Sequence, residues 1–331
     1  MPEQILVTGG CGYIGSHTVR ELQRQNFEVI VFDNLEHGYR AAVEDAAIVV
    51  GDLRRPEDVS AVFARFPHLA GVVHFAAYID NSESMAKPGK YFSNNVLGTV
   101  NLLEAMTAAG VRTLVFSSTC GVYGTPDRMP IDETASLRPE SPYAASKMMA
   151  EQAIGWYGRL KGLHSVALRY FNAAGASLDA RIGNAHRPAT QLLAVLMEHA
   201  LGQRAEFVIN GDDYPTPDGA CIRDYIHVED LATAHILALR YLWDGGESTA
   251  LNLGTGRGTS NKEMVNMVAA VTGRPLNIRV GPRRPGDLTA SWADNTRARQ
   301  VLGWTPRYGL TEIVESAWGW HRTHPFGYIE A

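Results

Sequence analysis

The feature that most constrains the fold is an alternation of short apolar segments with helix-length segments over the first half of the chain. The apolar segments have the length of strands and occupy residues 4–8, 28–33, 47–52, 71–77, 113–118 and 165–170. Helices are predicted to begin between them near Tyr13, Pro56, Lys90 and Pro142. Strands this apolar are typical of a parallel sheet covered by helices on both faces. The pattern therefore predicts an α/β fold.

The first strand runs directly into a glycine-rich turn. Gly9, Gly12 and Gly15 are spaced three residues apart, between this strand and the first predicted helix. Glycines at this spacing allow a tight turn, close approach of the backbone to a pyrophosphate, and close packing of helix on strand. The turn therefore predicts a Rossmann-type, doubly wound parallel sheet that binds a dinucleotide, and a merely structural turn is the alternative.

The pattern changes after about residue 171. Loops rich in Gly, Pro and Asp occur at 211–219, 254–258 and 281–286, with shorter strands around them. They indicate a smaller α/β C-terminal substrate domain over the carboxyl ends of the strands, where open α/β sheets bind their ligands. Part of the chain near 221–250 is expected to return to the first domain.

The composition narrows the class of partner. The 331 residues are 45% hydrophobic and 20% charged, with a formal net charge of −5. This is ordinary for a globular protein and argues against nucleic acid or an anionic membrane as the main partner. Cys11, Cys120 and Cys221 fit neither a disulfide framework nor a metal site. With no signal peptide and no apolar run of about 18 residues, we expect a cytoplasmic protein.

Two acids follow the next strands. Asp33 ends the second strand about 20 residues beyond the turn, where a carboxylate accepts hydrogen bonds from the adenosine ribose and repels a 2′-phosphate. NAD is therefore predicted rather than NADP, and a turn Asp before Asn34 is the alternative. Asp52 is predicted either to contact the adenine amino group or to cap the helix near Pro56.

The acid–base candidates follow Pro142. Tyr143 and Lys147 are four residues apart, so a helix brings their side chains onto one face. A phenol ordinarily titrates near about 10, and a lysine ammonium beside it pulls that pKa toward neutrality. Thr119, at the end of the fifth strand, can hydrogen-bond a reacting sugar oxygen and the phenol. The alternatives are a chance pair on a helix and a Thr that only caps a strand end.

Together these motifs resemble the extended short-chain dehydrogenase/reductase family. Within it, the chain resembles the UDP-glucose 4-epimerases over nearly its whole length. The segments that carry the resemblance are 8–17 (TGGCGYIGSH), 33–34 (DN), 74–77 (HFAA), 94–96 (NNV), 169–172 (RYFN), 223–228 (RDYIHV) and 282–288 (PRRPGDL).

The resemblance implies an NAD-binding Rossmann domain at 1–172 and a UDP-sugar-binding domain at 173–331. It implies a homodimer joined through helices near 94–109 and 143–160. The residues that it implies for NAD are Gly9, Gly12, Tyr13, Ile14, Gly15, Asp33, Asn34, Asp52, Leu53, Phe75, Ala76, Ala77, Asn94, Ser117, Lys147 and Phe171. Those for the UDP-sugar are Thr119, Tyr143, Asn172, Gln191, Arg223, Arg284, Asp287 and Ser291, with Tyr143, Lys147 and Thr119 catalytic. Arginine forks suit a diphosphate and an Asp suits ribose hydroxyls.

The residues after Thr119 discriminate among related enzymes. Sugar-nucleotide dehydratases of the family carry an Asp-Glu pair there, because elimination of water needs a general acid and base beyond the Tyr. This chain has Cys120 and Gly121 instead. Elimination chemistry is therefore disfavoured.

Three positions depart from the usual epimerase pattern. Ile79 stands where many members have a Lys that contacts the cofactor. Gln191, in Thr190-Gln191-Leu192, replaces the second Asn of an Asn-Asn-Leu segment and is expected to bind phosphate in its place. Ser291 is the small form of a position that is a bulky Tyr in other members, which predicts room for a 2-N-acetyl group. Drift in a loop is the alternative for Ser291.

The expected reaction is reversible 4-epimerisation of a UDP-hexose through a transient 4-keto sugar, with NAD that stays bound. UDP-glucose/UDP-galactose and also the N-acetylated pair are the candidate substrates. A UDP-pentose 4-epimerase, or another NAD-dependent sugar-nucleotide oxidoreductase, is the enzymatic alternative. A non-catalytic dinucleotide-sensing protein is the alternative from another class, although a sensor would not need the Tyr–Lys pair.

Overall fold

The computed structural model describes residues 2–284 and 287–328, so that Pro285 and Gly286 of the 282–288 segment and the last three residues of the predicted 173–331 domain lie outside the described residues. The strands are β1 Gln4–Thr8, β2 Glu28–Asp33, β3 Ala47–Val50, β4 Leu69–His74, β5 Thr113–Thr119, β6 His164–Tyr170, β7 Asn172–Ala174, β8 Phe207–Asn210, β9 Ile222–Arg223, β10 Tyr225–His227, β11 Thr249–Leu253, β12 Thr259–Ser260, β13 Ile278–Gly281 and β14 Ala290–Ser291. The α-helices are α1 Tyr13–Arg24, α2 Pro56–Arg65, α3 Asn81–Ala86, α4 Pro88–Tyr91, α5 Gly98–Ala108, α6 Pro142–Lys161, α7 Leu192–Ala200, α8 Val228–Trp243, α9 Asn261–Thr272, α10 Thr296–Leu302 and α11 Leu310–Thr323.

A parallel sheet of seven strands, in the order β11-β6-β5-β4-β1-β2-β3, forms the central layer. The order reverses between β1 and β4, which is the switch point of a doubly wound sheet. The predicted Rossmann-type fold is therefore confirmed. All six predicted strands form, because their apolar side chains are buried by helices on both faces.

Several strand bounds differ from the prediction by one to three residues. β3 ends at Val50 rather than residue 52, and β4 ends at His74 rather than 77. After β4 the chain bends under the glycine turn, where the N–H groups of Phe75 and Ala76 both donate to the carbonyl of Thr8. The helical segment predicted near Lys90 begins as α4, passes through a π-helical turn at Phe92–Leu97, and continues as α5.

Helices cover each face of the sheet. α1 and α8 pack on one face with α10, around apolar residues such as Leu22, Leu239 and Leu302. α2, α5 and α6 pack on the other, around residues such as Val62, Leu102 and Ile154. Each fully buried aliphatic side chain of this kind stabilises the fold by about 1.5–3 kcal/mol.

The C-terminal half contributes both to this layer and to a separate cluster. α8 packs on α1, β5 and β6, and β11 extends the sheet beside β6. A third apolar cluster joins α7, α9 and α11 with the small β13-β8 sheet. The remaining strands form a short sheet, β12-β9-β14, and a pair, β10-β7. A division into domains at residue 172 stays a prediction.

Candidate active site

The glycine turn brings the backbone close to the cofactor crevice predicted at the switch point. Gly9 has a φ of +70°, and a Cβ on it would lie 2.6 Å from the backbone nitrogen of Ala76. A Cβ on Gly15 would lie 2.3 Å from the carbonyl oxygen of Gly9. The helix α1 begins after Gly12, which provides no side-chain cap for its first N–H groups. A helix start of this kind suits a phosphate.

Asp33 is tied to this turn. Its carboxylate accepts hydrogen bonds from the N–H groups of Cys11, at 3.0 Å, and Leu35, at 2.9 Å. Burial raises the pKa of this carboxyl, while the two N–H groups lower it. The side chain of Asn34 is exposed, and its oxygen accepts from the Glu36 N–H at 3.0 Å.

The structure resolves part of the ambiguity at Asp52. α2 is preceded by Arg55 at its N-cap, which makes no side-chain cap, so the predicted capping alternative for Asp52 is wrong. The Asp52 carboxylate instead accepts from the Arg54 guanidinium at 2.5–3.0 Å, and this hydrogen bond lowers its pKa. Contact with adenine stays a prediction. The Leu53 side chain is buried in the core.

The helix α6 carries the Tyr–Lys pair. Its N-cap Ser141 accepts from the Ala144 N–H at 3.2 Å, and Pro142 occupies the first turn. These signals fix the start of the helix immediately before Tyr143. Tyr143 and Lys147 therefore lie one turn apart on one face, as predicted.

Lys147 makes a contact that the sequence did not indicate. Its side chain is almost fully buried, and its ammonium donates to the carbonyl of Ser117 at 2.8 Å. Burial lowers the pKa of Lys147 to about 7, and the negative charge of Glu151 opposes that change. The ammonium thus lies under the end of β5.

The pKa of Tyr143 depends mainly on burial. Burial raises it, the nearby phenol of Tyr170 adds to the increase, and the hydroxyl of Thr119 lowers it. In the protein alone, desolvation of the phenol dominates its pKa, and a lowering of that pKa by Lys147 stays a prediction. The phenol ring also lies edge-on to Tyr91, with centroids 6.4 Å apart.

Thr119 ends β5 next to the phenol. Its hydroxyl oxygen accepts from the Gly121 N–H at 3.1 Å and caps the 3₁₀ turn Cys120–Tyr123. A Cβ on Gly121 would lie 3.3 Å from this oxygen and 3.4 Å from the Ala144 Cβ. Burial raises the pKa of the Cys120 thiol to about 12. Neither position after Thr119 therefore supplies a second acid–base group at neutral pH.

The other residues predicted for the cofactor lie on several elements of the fold. Ser117 hydrogen-bonds the Tyr170 hydroxyl through its side chain. Asn94 lies buried in the π-helical turn and donates to Asn95 at 3.0 Å. Such turns are frequent at functional sites. The remaining members are Tyr13, whose hydroxyl donates to the Gly175 carbonyl at 2.7 Å, Ile14 on the first turn of α1, Phe75, Ala76 and Ala77 after β4, and Phe171, packed between Val122 and Ala293. Ile79 is half exposed and provides no charge.

The residues predicted for the substrate fall into two groups. Arg223 on β9 pairs in register with Ser291 on β14, and its guanidinium lies 3.9 Å from Asp287. Arg284 donates to the same carboxylate at 3.1 Å. These four residues are thus brought together.

The second group lies on other segments. Asn172 donates through its side chain to the Asp224 carbonyl at 3.2 Å, so it adjoins β9. Gln191 precedes α7 and accepts from the Asn184 side chain at 2.7 Å.

The sequence prediction missed two polar residues that shape the site. Asp224 is completely buried and accepts from the N–H groups of Thr255, Gly256 and Ala293. It thereby fixes the 254–258 loop beside β9. Asn184 orients Gln191. Asp224 adjoins Arg223 in the quoted RDYIHV segment, which is the available signal; nothing in the sequence indicates Asn184.

Comparison with known proteins decides the family. A model described as the NAD dependent epimerase/dehydratase family matches residues 5–254. The chain belongs to the NAD-dependent epimerase/dehydratase family. A relative from Rhizobium meliloti (strain 1021), named UDP-glucose 4-epimerase, is 50% identical over 317 residues, which cover 96% of each chain.

Solved structures of UDP-glucose 4-epimerases have a similar fold. A UDP-glucose 4-epimerase from Brucella ovis in complex with NAD has a TM-score of 0.93 and 42% identity, covering 96% of this chain and 97% of that chain. One from Stenotrophomonas maltophila, with bound NAD and formylated UDP-arabinopyranose, has a TM-score of 0.94 and 40% identity, covering 98% and 99%.

Within residues 2–284 and 287–328, no group of three or more His, Cys, Asp or Glu side chains is arranged to hold a metal ion. None of the helices in this described part of the chain has the length and apolar character needed to cross a bilayer. All three cysteines are free thiols.

Proposed function

We propose that this member of the family interconverts the C4 epimers of a UDP-hexose, as a UDP-glucose 4-epimerase. The observation that carries the proposal is the composition of the centre around Tyr143. One phenol and one hydroxyl, from Thr119, face each other beside the cofactor crevice, and Cys120 and Gly121 provide no second acid or base. Such a centre suits the removal and return of a single proton at one carbon. The name of the Rhizobium meliloti relative, at 50% identity, points the same way.

NAD is the cofactor of this family, and the residues present fit it. The close approach of Gly9 to the Ala76 backbone leaves no room for a side chain, so that the uncapped N–H groups of α1 stay accessible to a pyrophosphate. Asp33 suits a ribose diol. When bound, NAD accepts a hydride from carbon 4 of the sugar and returns it.

Tyr143 is proposed to remove the proton of the sugar 4-hydroxyl. It is proposed to return a proton to that oxygen once the 4-keto sugar has turned over and carbon 4 has received the hydride on its other face. Because burial raises its pKa, the phenol needs a positive charge near it to ionise. Lys147, one turn along α6, is the residue proposed to provide that charge from beneath Ser117. Thr119 is proposed to hold the reacting oxygen by its hydroxyl.

The UDP part is proposed to bind on the β9–β14 side. Arg223 and Arg284 both face the Asp287 carboxylate, so their guanidinium groups are held at one place where a diphosphate can accept from them. Asp287 would accept from ribose hydroxyls, and Asn172 and Gln191 would donate to phosphate. The hexose must turn over between the two hydride transfers. Contacts to the nucleotide rather than to the sugar permit that rotation.

The proposal is tested by incubating the purified protein, without added NAD, with UDP-glucose and separately with UDP-N-acetylglucosamine. Formation of UDP-galactose by the untreated protein is expected, because tightly held NAD is regenerated in each cycle. Chromatography of the nucleotide sugars is the measurement. Absence of the 4-epimer from both reactions would contradict the proposed function.

A UDP-pentose substrate is the second candidate. The Stenotrophomonas maltophila structure, at 40% identity, contains formylated UDP-arabinopyranose. A third incubation with UDP-xylose therefore belongs in the same assay, and a higher kcat/KM there than for UDP-glucose would favour the pentose.

Tyr143→Phe separates an enzyme from a dinucleotide-sensing protein. Loss of the phenolic proton acceptor should lower kcat by about 10²–10⁴-fold. The NAD content of the purified protein should not change, because the ring that packs near Tyr91 is retained. Unchanged turnover in the variant would exclude the proposed role.

Three further features belong to the proposal: an oligomeric state, a location and a domain division. We propose a homodimer in which the face formed by Leu97, Met149, Trp156 and Leu160 packs on its copy, since these large apolar side chains are exposed on the adjacent helical segments α6 and 92–97. We also propose a cytoplasmic location, to which three free thiols are suited. The division into an NAD-binding part, 1–172, and a UDP-sugar-binding part, 173–331, is proposed with residues 228–253 assigned to the first.

A further inference from the structure

A buried carboxylate continues the row of catalytic side chains on α6. Glu151 follows Lys147 by four residues and Tyr143 by eight, so all three lie along one face of the helix. The Glu151 side chain is 11% exposed. Buried acids of this kind are rare unless they are paired.

Its partner is Arg169 on β6. The guanidinium donates to the two carboxylate oxygens of Glu151 at 3.0 and 2.5 Å. The Arg169 side chain is itself only 8% exposed, and its third contact is a donation to the Tyr123 hydroxyl at 3.1 Å. Tyr123 donates in turn to Asn252 on β11 at 2.7 Å. A chain of buried polar contacts therefore joins α6 to the strands beneath it.

The same strands hold the catalytic residues at neighbouring positions. Ser118 donates to Glu151, and the preceding residue, Ser117, accepts from the Lys147 ammonium through its carbonyl. Tyr170 follows Arg169 and hydrogen-bonds the Ser117 hydroxyl. The ion pair thus fixes α6 against β5 and β6 at the turn next to Lys147.

We propose that Glu151 is a positioning residue for Lys147. Through its buried pair with Arg169, Glu151 holds the lysine in its charged form beneath the end of β5. The role rests on the proposed function, because it matters only if Lys147 supports the ionised phenol. Glu151 acts through Lys147 and has no contact with the reacting atoms assigned to it.

The surroundings favour this role. Lys147 faces the Ser117 carbonyl, the Phe116 ring at 4.9 Å, and His74, whose pKa burial lowers to about 3 so that it is neutral. The negative charge of Glu151, one helical turn from Lys147, opposes the desolvation of the ammonium.

The groups around Glu151 are also defined. They are Arg169, Ser118 and the Tyr123 phenol, whose pKa burial raises to about 12, with Glu133 acting on the same phenol from further away. Removing one charge of the pair leaves the other uncompensated near Lys147.

The test compares the pH dependence of kcat for two variants of the NAD-containing protein. Glu151→Gln leaves the Arg169 charge unbalanced, so Lys147 loses its proton more easily. The alkaline limb of the profile should then move to lower pH by about one unit. Arg169→Gln leaves the Glu151 charge unbalanced, so that limb should move to higher pH. Ser118→Ala keeps both charges and serves as the control, with its limb at the parent position.

Opposite displacements in the two variants support the role. The role is overturned if the alkaline limbs of both variants coincide with that of the parent, or if both move in the same direction. A purely structural pair would lower kcat in both variants without moving the two limbs in opposite directions. If Glu151→Gln fails to fold, the sign of the displacement in Arg169→Gln decides alone. A parent protein without epimerase activity would instead contradict the proposed function.

Discussion

Ser291 lies directly beside Arg223 on adjacent parallel strands. The two residues are partners in the register of β14 and β9, and the Ser291 side chain is 5% exposed. A residue proposed to control the space around the hexose is therefore next to one proposed to hold the diphosphate. Any larger side chain at 291 must displace its surroundings or fill the space beside Arg223.

Ser291→Tyr should restrict the substrate range. The phenol would fill the space expected to receive a 2-N-acetyl group, so kcat/KM for UDP-N-acetylglucosamine should fall by about 10-fold or more, while UDP-glucose turnover is retained. Assays of both nucleotide sugars with parent and variant are the measurement. Equal losses for the two substrates would show that position 291 does not discriminate between them.

Gly9→Ala should remove NAD and destabilise the protein. The methyl group would meet the Ala76 backbone in addition to straining a φ of +70°. Gly110→Ala is the matched control, since Gly110 has a φ of +73° and nothing within 4 Å of its Cβ position. The control should lose about 1–2 kcal/mol of unfolding free energy and keep its NAD. Denaturant unfolding and the NAD content after purification distinguish the two, and equal NAD contents would contradict the predicted approach.

His235→Leu should make the protein less sensitive to acid. His235 is fully buried next to Phe75, and burial lowers its pKa to about 4, below the ordinary value of 6.5. Between these values the unfolded chain binds more protons, so the stability contribution of neutral His235 is complete above about pH 6.5 and declines toward pH 4. From pH 8 to pH 5 the free energy of unfolding of the parent protein should therefore fall by about 2 kcal/mol more than that of the variant.

Urea unfolding at pH 5 and at pH 8 measures that difference. The change between the two pH values, not stability at either one, carries the prediction. The prediction would fail if the free energies of unfolding of parent and variant declined by the same amount.

Leu160→Glu should convert the proposed dimer to monomer. Leu160 is 70% exposed on α6, in the face proposed to pack on a second copy. Leu178→Glu is the control, since Leu178 is 56% exposed in the segment after β7 and lies outside that face. Light scattering coupled to size-exclusion chromatography gives the masses. A parent that elutes as a monomer would exclude the dimer, and a dimeric Leu160→Glu would exclude this face.

The fold was predictable to the extent that it depends on local pattern. Apolar runs of strand length can be buried only in a sheet with two covered faces, so β1, β2, β5 and β6 appear where the sequence indicates them. The glycine turn was predictable for the same reason. The position of β11 beside β6 was not, because a five-residue strand has no signal that names its neighbour.

The site was less predictable than the fold. A spacing of four places Tyr143 and Lys147 on one face of α6, but it does not say which acceptor a flexible side chain reaches. The ammonium contacts the Ser117 carbonyl, 30 residues away in sequence. The high pKa of Tyr143 likewise depends on burial by distant elements. The capping alternative at Asp52 failed because the N-cap of α2 is Arg55, and the Asp52 carboxylate accepts from Arg54 instead.

The pairing of β11 with β6 has a consequence for synthesis on the ribosome. The nascent chain completes six strands of the sheet by Tyr170, yet the neighbour of β6 is not made until residues 249–253. Until then β6 is an unpaired edge, open to adhesion with other nascent chains. The cofactor-binding layer thus acquires its last strand only after synthesis has proceeded from Tyr170 to residues 249–253.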